Sequence, residues 1–488
     1  MNINKELTNL IVDENNSIRK ALNLIQKNGY GACFVNSKNR FKTVITDGDI
    51  RKLVIKNKNL NFPIKKYFSN KKSFSLNINS SSLKIYKSLN NKVKIIPLLD
   101  ESKKIVNFST LKRLKKINLY DINLEGNEFN YVSECLKTNW ISSIGKYVKQ
   151  FEKKFSEFFD YKYCLTTSSG TTALHLALEI LNLNKGDEVI LPNLTFASPI
   201  NVIIKSGAKP VLVDINKLTY NIDLEQIKKK INKKTKAIIC VHLYGQPCEL
   251  GSLKRICKKN KIFLIEDCAE ALGSKYKKNF VGNYGDISTF SFYGNKTITT
   301  GEGGMLVTSN RKFFEKGKIL RAHGMSEKKR YWHDEIGFNY RMTNLQAAVG
   351  LAQIENAKKI IEKKILIAKF YSREIDLLPK KIKNLIIKPY KIKNTLNSFW
   401  LYNILIKGID FDTRNIILQK LEQRGINCRS FFYPLSDMKI YKKYAKSSFK
   451  NSNLISRTGI CLPSSPNLDR KQIKYIISSL GDVINDTL

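Results

Sequence analysis

The chain has 488 residues and carries 85 lysines and arginines against 41 acidic residues, a formal charge of +44. That length supports about two to four domains with sizeable cores. Lysine is spread along the whole chain, and there is no arginine-rich arm, zinc-ligand spacing or aromatic-basic RNA motif, so no nucleic-acid partner is expected. A general attraction to anionic small molecules remains. The opening Met-Asn-Ile-Asn-Lys-Glu-Leu has no signal-like apolar stretch, and no apolar run approaches the roughly 20 residues of a membrane span. A cytoplasmic protein with no membrane partner is therefore expected. The nine cysteines are odd in number and never spaced C-x-x-C, which predicts reduced, mostly buried thiols.

Apolar residues recur at helical spacing over Ser17–Asn28, and Ala32–Val35 and Thr43–Ile45 read as strands. Thr46-Asp-Gly-Asp49 forms a turn, and Ile50–Val54 opens a helix; a threonine or aspartate there is first of all an N-cap. A weaker copy follows, with a helix over Ser82–Leu89, strands over Lys94–Leu99 and Lys104–Phe108, and Ser109-Thr-Leu-Lys112 where Thr46–Asp49 stood. The two copies resemble a pair of CBS motifs, and "VITDGDIRK" is similar to the nucleotide-contacting turn of that family. The resemblance implies an adenine nucleotide held by Thr46 and Asp49, at no more than one of the two sites because Lys112 replaces the acid. A structural or dimerising role is the alternative. Lys103–Lys116 is basic and glycine-free, which places the end of this α+β domain near residue 116.

The second region, expected over 117–380, starts with a helix over Leu124–Leu136, then Asn139–Tyr147 with Trp140, then amphipathic Val148–Phe159. A strand at Tyr163–Thr166 leads into Thr167-Ser-Ser-Gly-Thr-Thr172 and a helix over Ala173–Leu181. Small hydroxylated residues and a glycine at a helix start make either a phosphate site or simply a good cap. Glu188–Leu191 is a strand, and Phe196 follows in a loop, where it can stack on a flat ring or pack in a core. Strands at Pro210–Val213, Ala237–Val241 and Phe263–Glu266 alternate with helices at Leu224–Ile231 and Leu250–Lys259. That alternation predicts a mostly parallel sheet with helices on both faces and a ligand beyond the carboxyl ends of the strands.

Asp267 follows the last of these strands, where a carboxylate can keep a pyridine nitrogen protonated. Metal coordination is the rival, but no His or Cys spacing supports it and no metal is expected. A strand over Ile287–Phe292 precedes Lys296, and Gly301, Gly303 and Gly304 lead into a second strand, Met305–Thr308. A lysine held there away from water can act as a neutral amine toward an aldehyde, and Ser291 can bind a phosphate oxygen. None of His175, His242, His323 and His333 is assigned a proton-transfer role.

A phosphate cradle, a ring-stacking aromatic, a pyridine partner and a lysine now stand in chain order. Together with "SSGTTALHLAL", "DCAEALG", "SFYGNKTITTGEGGM" and "IGFNYRMTNLQAAVGLAQIE", they resemble the sugar-nucleotide aminotransferases of the DegT/StrS type, from about residue 118 to the C-terminus. The resemblance implies an aspartate-aminotransferase-like fold, pyridoxal 5'-phosphate as cofactor, and L-glutamate and a nucleoside-diphosphate keto sugar as substrates. It makes Lys296 the Schiff-base lysine, Asp267 the partner of the pyridine nitrogen, Phe196 the stacking ring, and Gly170, Thr171 and Ser291 the phosphate contacts. Glu270 matches a position near the ring hydroxyl. A homodimer with shared sites is implied, Asn339 reaching the partner's cofactor phosphate. Relatives with histidine at the lysine position dehydrate sugars instead, so Lys296 favours transamination. An idle aminotransferase domain under a nucleotide-sensing one is a further alternative.

The region 381–488 reads as a small α+β domain, after one long helical run from Asn344 to about Leu377. Strands are expected within Ser398–Ile406, and helices over Thr413–Arg424 and Arg470–Leu480. By resemblance, Arg429 and Tyr433 in "RSFFYP", and Trp140, are carried as sugar-nucleotide contacts, with packing of the small domain as the alternative for the first two.

Overall fold

The computed structural model describes residues 7–80, 84–85, 88–90, 93–110 and 116–488. They form two compact units, one comprising Met1–Ile117 with Glu422–Ile426, the other Asn118–Leu421 with Asn427–Leu488.

In the N-terminal unit the same small topology occurs twice. Ile11–Asp13 runs parallel to Ala32–Ser37, which pairs antiparallel with Arg40–Thr46. Leu76–Asn77 runs parallel to Ile95–Leu99, which pairs antiparallel with Ile105–Thr110. Helix Ile18–Asn28 is capped by Ser17 and stopped by Gly29 at a left-handed φ of 69°. It buries Ile18, Ala21 and Ile25 with Cys33, Val35 and Ile45. The next helix spans Asp47–Ile55, earlier than expected, because Thr46 and Asp49 form a reciprocal capping box. Part of the helix expected over Ser82–Leu89, together with Leu111 and Lys112, lies outside the described residues.

The larger unit is built on a seven-stranded sheet in the order 163–167, 304–308, 287–291, 263–267, 235–241, 188–192, 209–213. Gly304–Thr308 is antiparallel to both its neighbours, and the other pairings are parallel. Helix Lys146–Phe159 places Phe151, Phe155 and Phe159 four residues apart on one stripe, where they pack with Phe290 and Phe292. Helix Gly170–Leu181 covers the other face with Leu174, Ala177 and Leu178. The expected run from Asn344 is two helices, Asn344–Glu355 and Ala357–Asp376. Asn356 breaks it, adopting φ −98° and ψ 0° and turning its side-chain amide to the Ala352 carbonyl at 3.3 Å.

The C-terminal part adds an antiparallel sheet in the order 386–387, 402–406, 459–462, 429–430. Within the run expected from Ser398, this sheet's strand starts only at Tyr402, since Phe399 takes a φ of 52° and the Ser398 N–H goes to Ser274 Oγ at 3.1 Å. Helix Phe411–Gln423 and the C-terminal helix Arg470–Asn485 agree with expectation within a few residues, whereas helix Lys450–Thr458 and strand Gly459–Leu462 were not anticipated. All nine cysteines are free and eight are buried. Among the described residues no helix is long and apolar enough to cross a membrane.

Candidate active site

Parallel strands ending side by side expose their last residues to one crevice. Here Asp267 is the final residue of Phe263–Asp267, and Ser291 the final residue of Ile287–Ser291. They line a cavity of about 520 Å³ together with Gly170, Thr171, Phe196, Glu270, Lys296 and Arg429. Eight residues chosen from separate stretches of sequence thus meet in one place.

The helix start at one end of the cavity is built for an anion. Ser169 caps the helix and exchanges hydrogen bonds with Thr172, which leaves the two intervening residues, Gly170 and Thr171, at the exposed N-terminus. A side chain at Gly170 is excluded: a Cβ there would lie 2.7 Å from Ser291 Cβ. The hydroxyls of Thr171 and Ser198 are 2.7 Å apart. Phe196 is 58 % exposed, its ring 6.0 Å from that of Phe432, so it is a wall of the cavity and not part of the core.

At the other end stand the ionisable groups. The Lys296 side chain is only 13 % exposed, and its Nζ lies 4.0 Å from Glu270 Oε1 and 3.8 Å from the centre of the Trp400 ring. Burial lowers its pKa, opposed by the negative charges of Glu270 and Asp267. Burial pushes Glu270 up to about 7 against the pull of Lys296 and of the Tyr244 N–H, which donates to its carboxylate at 2.8 Å. Asp267 is raised by burial too, opposed by the Ala269 N–H at 3.0 Å and by Lys296. In each group the enclosure favours the neutral form, which for Lys296 is the nucleophilic one.

Three expected contacts lie elsewhere. Asn339 is exposed and accepts from Arg341 Nε and Nη2 at 3.3 and 3.2 Å. Trp140 is 57 % exposed, its carbonyl accepting from Asn344 Nδ2 at 2.6 Å. Tyr433 stacks on Phe411 at 5.8 Å. In the N-terminal unit, Thr46 and Lys71 line a separate cavity of about 710 Å³. The Asp49 carboxylate is taken up by Thr46 and Lys71 instead of facing that space.

Sequence reasoning missed Ser198, Tyr293, Phe432 and, nearest the amine, Trp400. Trp400 is one of three tryptophans in the chain, set in an apolar run where a strand was expected, and that rarity was the available signal. Among the described residues, one buried group, His242, Glu266 and Cys268, brings metal-ligating atoms within 4.8 Å of one another. Its carboxylate is already engaged by His242 Nε2 at 3.1 Å and by the N–H groups of Gly282, Tyr284 and Gly285. We read it as a brace under the strand that ends at Asp267.

Residues 123–481 match the DegT/DnrJ/EryC1/StrS aminotransferase family. The chain belongs to that family. It is 43 % identical over 375 residues to GDP-perosamine synthase of Escherichia coli O157:H7, covering 76 % of this chain and all of that enzyme. Identity is again 43 %, over 372 residues, with GDP-perosamine synthase of Vibrio cholerae, covering 76 % of this chain and 99 % of that enzyme. Among solved structures, Helicobacter pylori PseC, an aminotransferase of pseudoaminic acid biosynthesis, superposes with a TM-score of 0.72 at 29 % identity over 76 % of this chain and all of its own. The pyridoxal-phosphate form of the sugar aminotransferase Spr1654 from Streptococcus pneumoniae gives 0.71 at 27 %, covering 76 % of this chain and 98 % of its own. The larger unit therefore has the aspartate-aminotransferase-like fold. The family depends on pyridoxal phosphate. This cavity fits that cofactor: an uncluttered helix N-terminus with a glycine that tolerates no side chain, a buried carboxylate, an aromatic wall and an enclosed amine.

Proposed function

We propose that this aminotransferase moves the amino group of L-glutamate to the keto carbon of a sugar nucleotide, GDP-4-keto-6-deoxymannose, making GDP-perosamine for a surface polysaccharide such as O-antigen. The observation that carries the reading is Lys296, enclosed beside Glu270 and under Trp400, in a chain alike over their full length to enzymes named for that product. Gly170, Thr171 and Ser291 would hold the cofactor phosphate, Phe196 its ring and Asp267 its pyridine nitrogen. Bound there, pyridoxal phosphate supplies an aldehyde that takes up amines and a ring that draws electrons from the carbon next to nitrogen. Lys296, whose pKa burial lowers, carries the proton from the α-carbon of glutamate, and later delivers one to the sugar carbon that receives nitrogen. Glu270 would place its carboxyl near the cofactor's ring hydroxyl. Arg429 at the rim offers a cation to the diphosphate.

We further infer the organisation 1–116, 117–380 and 381–488 for an N-terminal CBS-like pair, the cofactor-binding domain and the small domain. The repeated strand topology supports the pair, and an adenine nucleotide beside Thr46 and Lys71 is its proposed ligand. A homodimer with shared sites is supported by the exposure of Asn339 away from its own cavity and by the apolar side chains Phe129, Leu136, Ile141 and Ile144 left in solvent, and we infer that it acts in the cytoplasm. Trp140 and Tyr433 would reach the sugar nucleotide only from such an assembly or after closure of the site.

The test is turnover of GDP-4-keto-6-deoxymannose with isotope-labelled L-glutamate. The proposal expects the label in a GDP-linked amino sugar and an equal amount of 2-oxoglutarate. A deoxygenated sugar carrying no nitrogen, with the glutamate nitrogen released as ammonia alongside 2-oxoglutarate, would assign dehydration instead.

A further inference from the structure

Helix Ala357–Asp376 buries the stripe Ile360, Ile361, Ile367, Ala368, Tyr371 and Ile375, and in the middle of it stands Lys364, 2 % exposed. An ammonium group is almost never placed in a core without a reason, since its desolvation costs several kcal/mol, on the order given for buried ions. Lys364 meets no carboxylate among the described residues. Its Nζ donates to the carbonyl of Trp400 at 3.1 Å and to that of Ser464 at 2.8 Å, and it lies 4.7 Å from the centre of the Tyr120 ring. Burial alone pushes its pKa down to about 7.

What Lys364 touches leads to both sides of Lys296. The Trp400 indole N–H donates to the carbonyl of Asn295 at 2.7 Å, one residue before Lys296, while its ring lies against Lys296 Nζ at 3.8 Å. Tyr120 donates its hydroxyl to the carbonyl of Thr297 at 3.4 Å, one residue after it. Tyr244 stacks on Trp400 at 6.2 Å and gives its N–H to Glu270. One buried amine thus sits under the two aromatic residues that hold the backbone flanking the reactive lysine.

We propose that Lys364 is a positioning residue for the transamination, fixing Trp400 and Tyr120 so that the segment Asn295–Thr297 presents Lys296 at one height and under one aromatic ceiling. This rests on the assignment of Lys296 above. A methionine could fill the same volume but would leave the Trp400 and Ser464 carbonyls without donors and Trp400 free to tilt.

The test uses Lys364→Met in the full chain. Folding is checked by circular dichroism. The proposal expects kcat to fall about 10- to 100-fold while KM for glutamate and sugar nucleotide moves less than about threefold, because only the placement of the reacting amine changes. In cofactor-free protein, the rate at which acetic anhydride acylates Lys296, read by peptide mass spectrometry across pH, should change by about threefold or more. A merely structural lysine would leave that rate alone. Lys364→Gln, which keeps an N–H donor, should recover part of the loss, and Trp400→Phe should reproduce it without multiplying it in the double variant. A folded Lys364→Met with parental kcat and parental Lys296 acylation would overturn the proposal. If no Lys364 variant folds, Trp400→Phe decides, unchanged Lys296 acylation overturning it and a changed rate supporting it. Turnover surviving in Lys296→Ala would be a different failure, that of the site assignment itself.

Discussion

Two helix starts in this chain have the same local construction, and the residues singled out in them as ligand contacts stand at different places in it. At Thr46–Asp49 and at Ser169–Thr172 a hydroxyl residue caps the helix and the residue three positions on answers it, so both are capping boxes. In the first, the two residues singled out as ligand contacts are the box itself, and Asp49 is further engaged by Lys71. In the second, the singled-out residues are the pair between the box partners, Gly170 and Thr171, which face a cavity. The lesson is positional. In both turns the second and third residues line a cavity, while the fourth, Asp49 or Thr172, is turned back to the cap.

Glycine substitutions test this most strongly. Gly170→Ala would drive a Cβ to 2.7 Å from Ser291 Cβ, and we expect pyridoxal phosphate affinity to fall about 10- to 100-fold, measured by absorbance titration. At the corresponding place in the other box, Gly48, a Cβ would meet only Thr46 Oγ1 at 3.7 Å. Gly48→Ala should leave stability within about 1 kcal/mol of the parent, on the stabilising side. Equal effects at the two glycines would remove the distinction.

A smaller effect distinguishes the boxes by pH. Asp49 titrates below its ordinary value of 3.8, held down by Lys71 and Thr46 against its burial. Its folded-state pKa is depressed, so its contribution is complete above the unfolded value and is lost as pH falls through the folded one. The fourth residue of the other box is Thr172, which does not titrate. The protection factors of amide exchange over residues 32–55 should therefore fall in acid more than those over 170–174, and Asp49→Asn should cost about 1 kcal/mol at neutral pH. Calorimetry with AMP on the same pair completes the test. Weaker binding by the variant supports a nucleotide beside Thr46 and Lys71, and unchanged heat assigns Asp49 to the cap alone.

Most of the fold was legible because its strands and helices are bounded by strong local signals. The alternation of apolar runs from Tyr163 to Val307 predicts the sheet, and its strands fall within two residues of expectation. The misses have tertiary causes. Asn356 interrupts a helical pattern through a side-chain bond to the backbone, and Phe399 delays a strand through a positive φ beside Ser398, whose N–H turns to Ser274 Oγ. Within the site, Lys296, Asp267 and Gly170 stand in compact motifs, whereas Trp400 and Tyr120 reach it from 104 and 176 residues away, the differences of their numbers from 296. Lys364 did leave a trace: a lone cation on the stripe of Ile360, Ile361, Ile367 and Tyr371.

The central claim is that this cavity is organised around the amine of Lys296. Its most direct test is Lys296→Ala, purified, loaded with pyridoxal phosphate and assayed for 2-oxoglutarate from L-glutamate. The account predicts a fall of about 10⁴-fold or more, as for loss of a group that is both nucleophile and proton carrier. Turnover within about tenfold of the parent would contradict it.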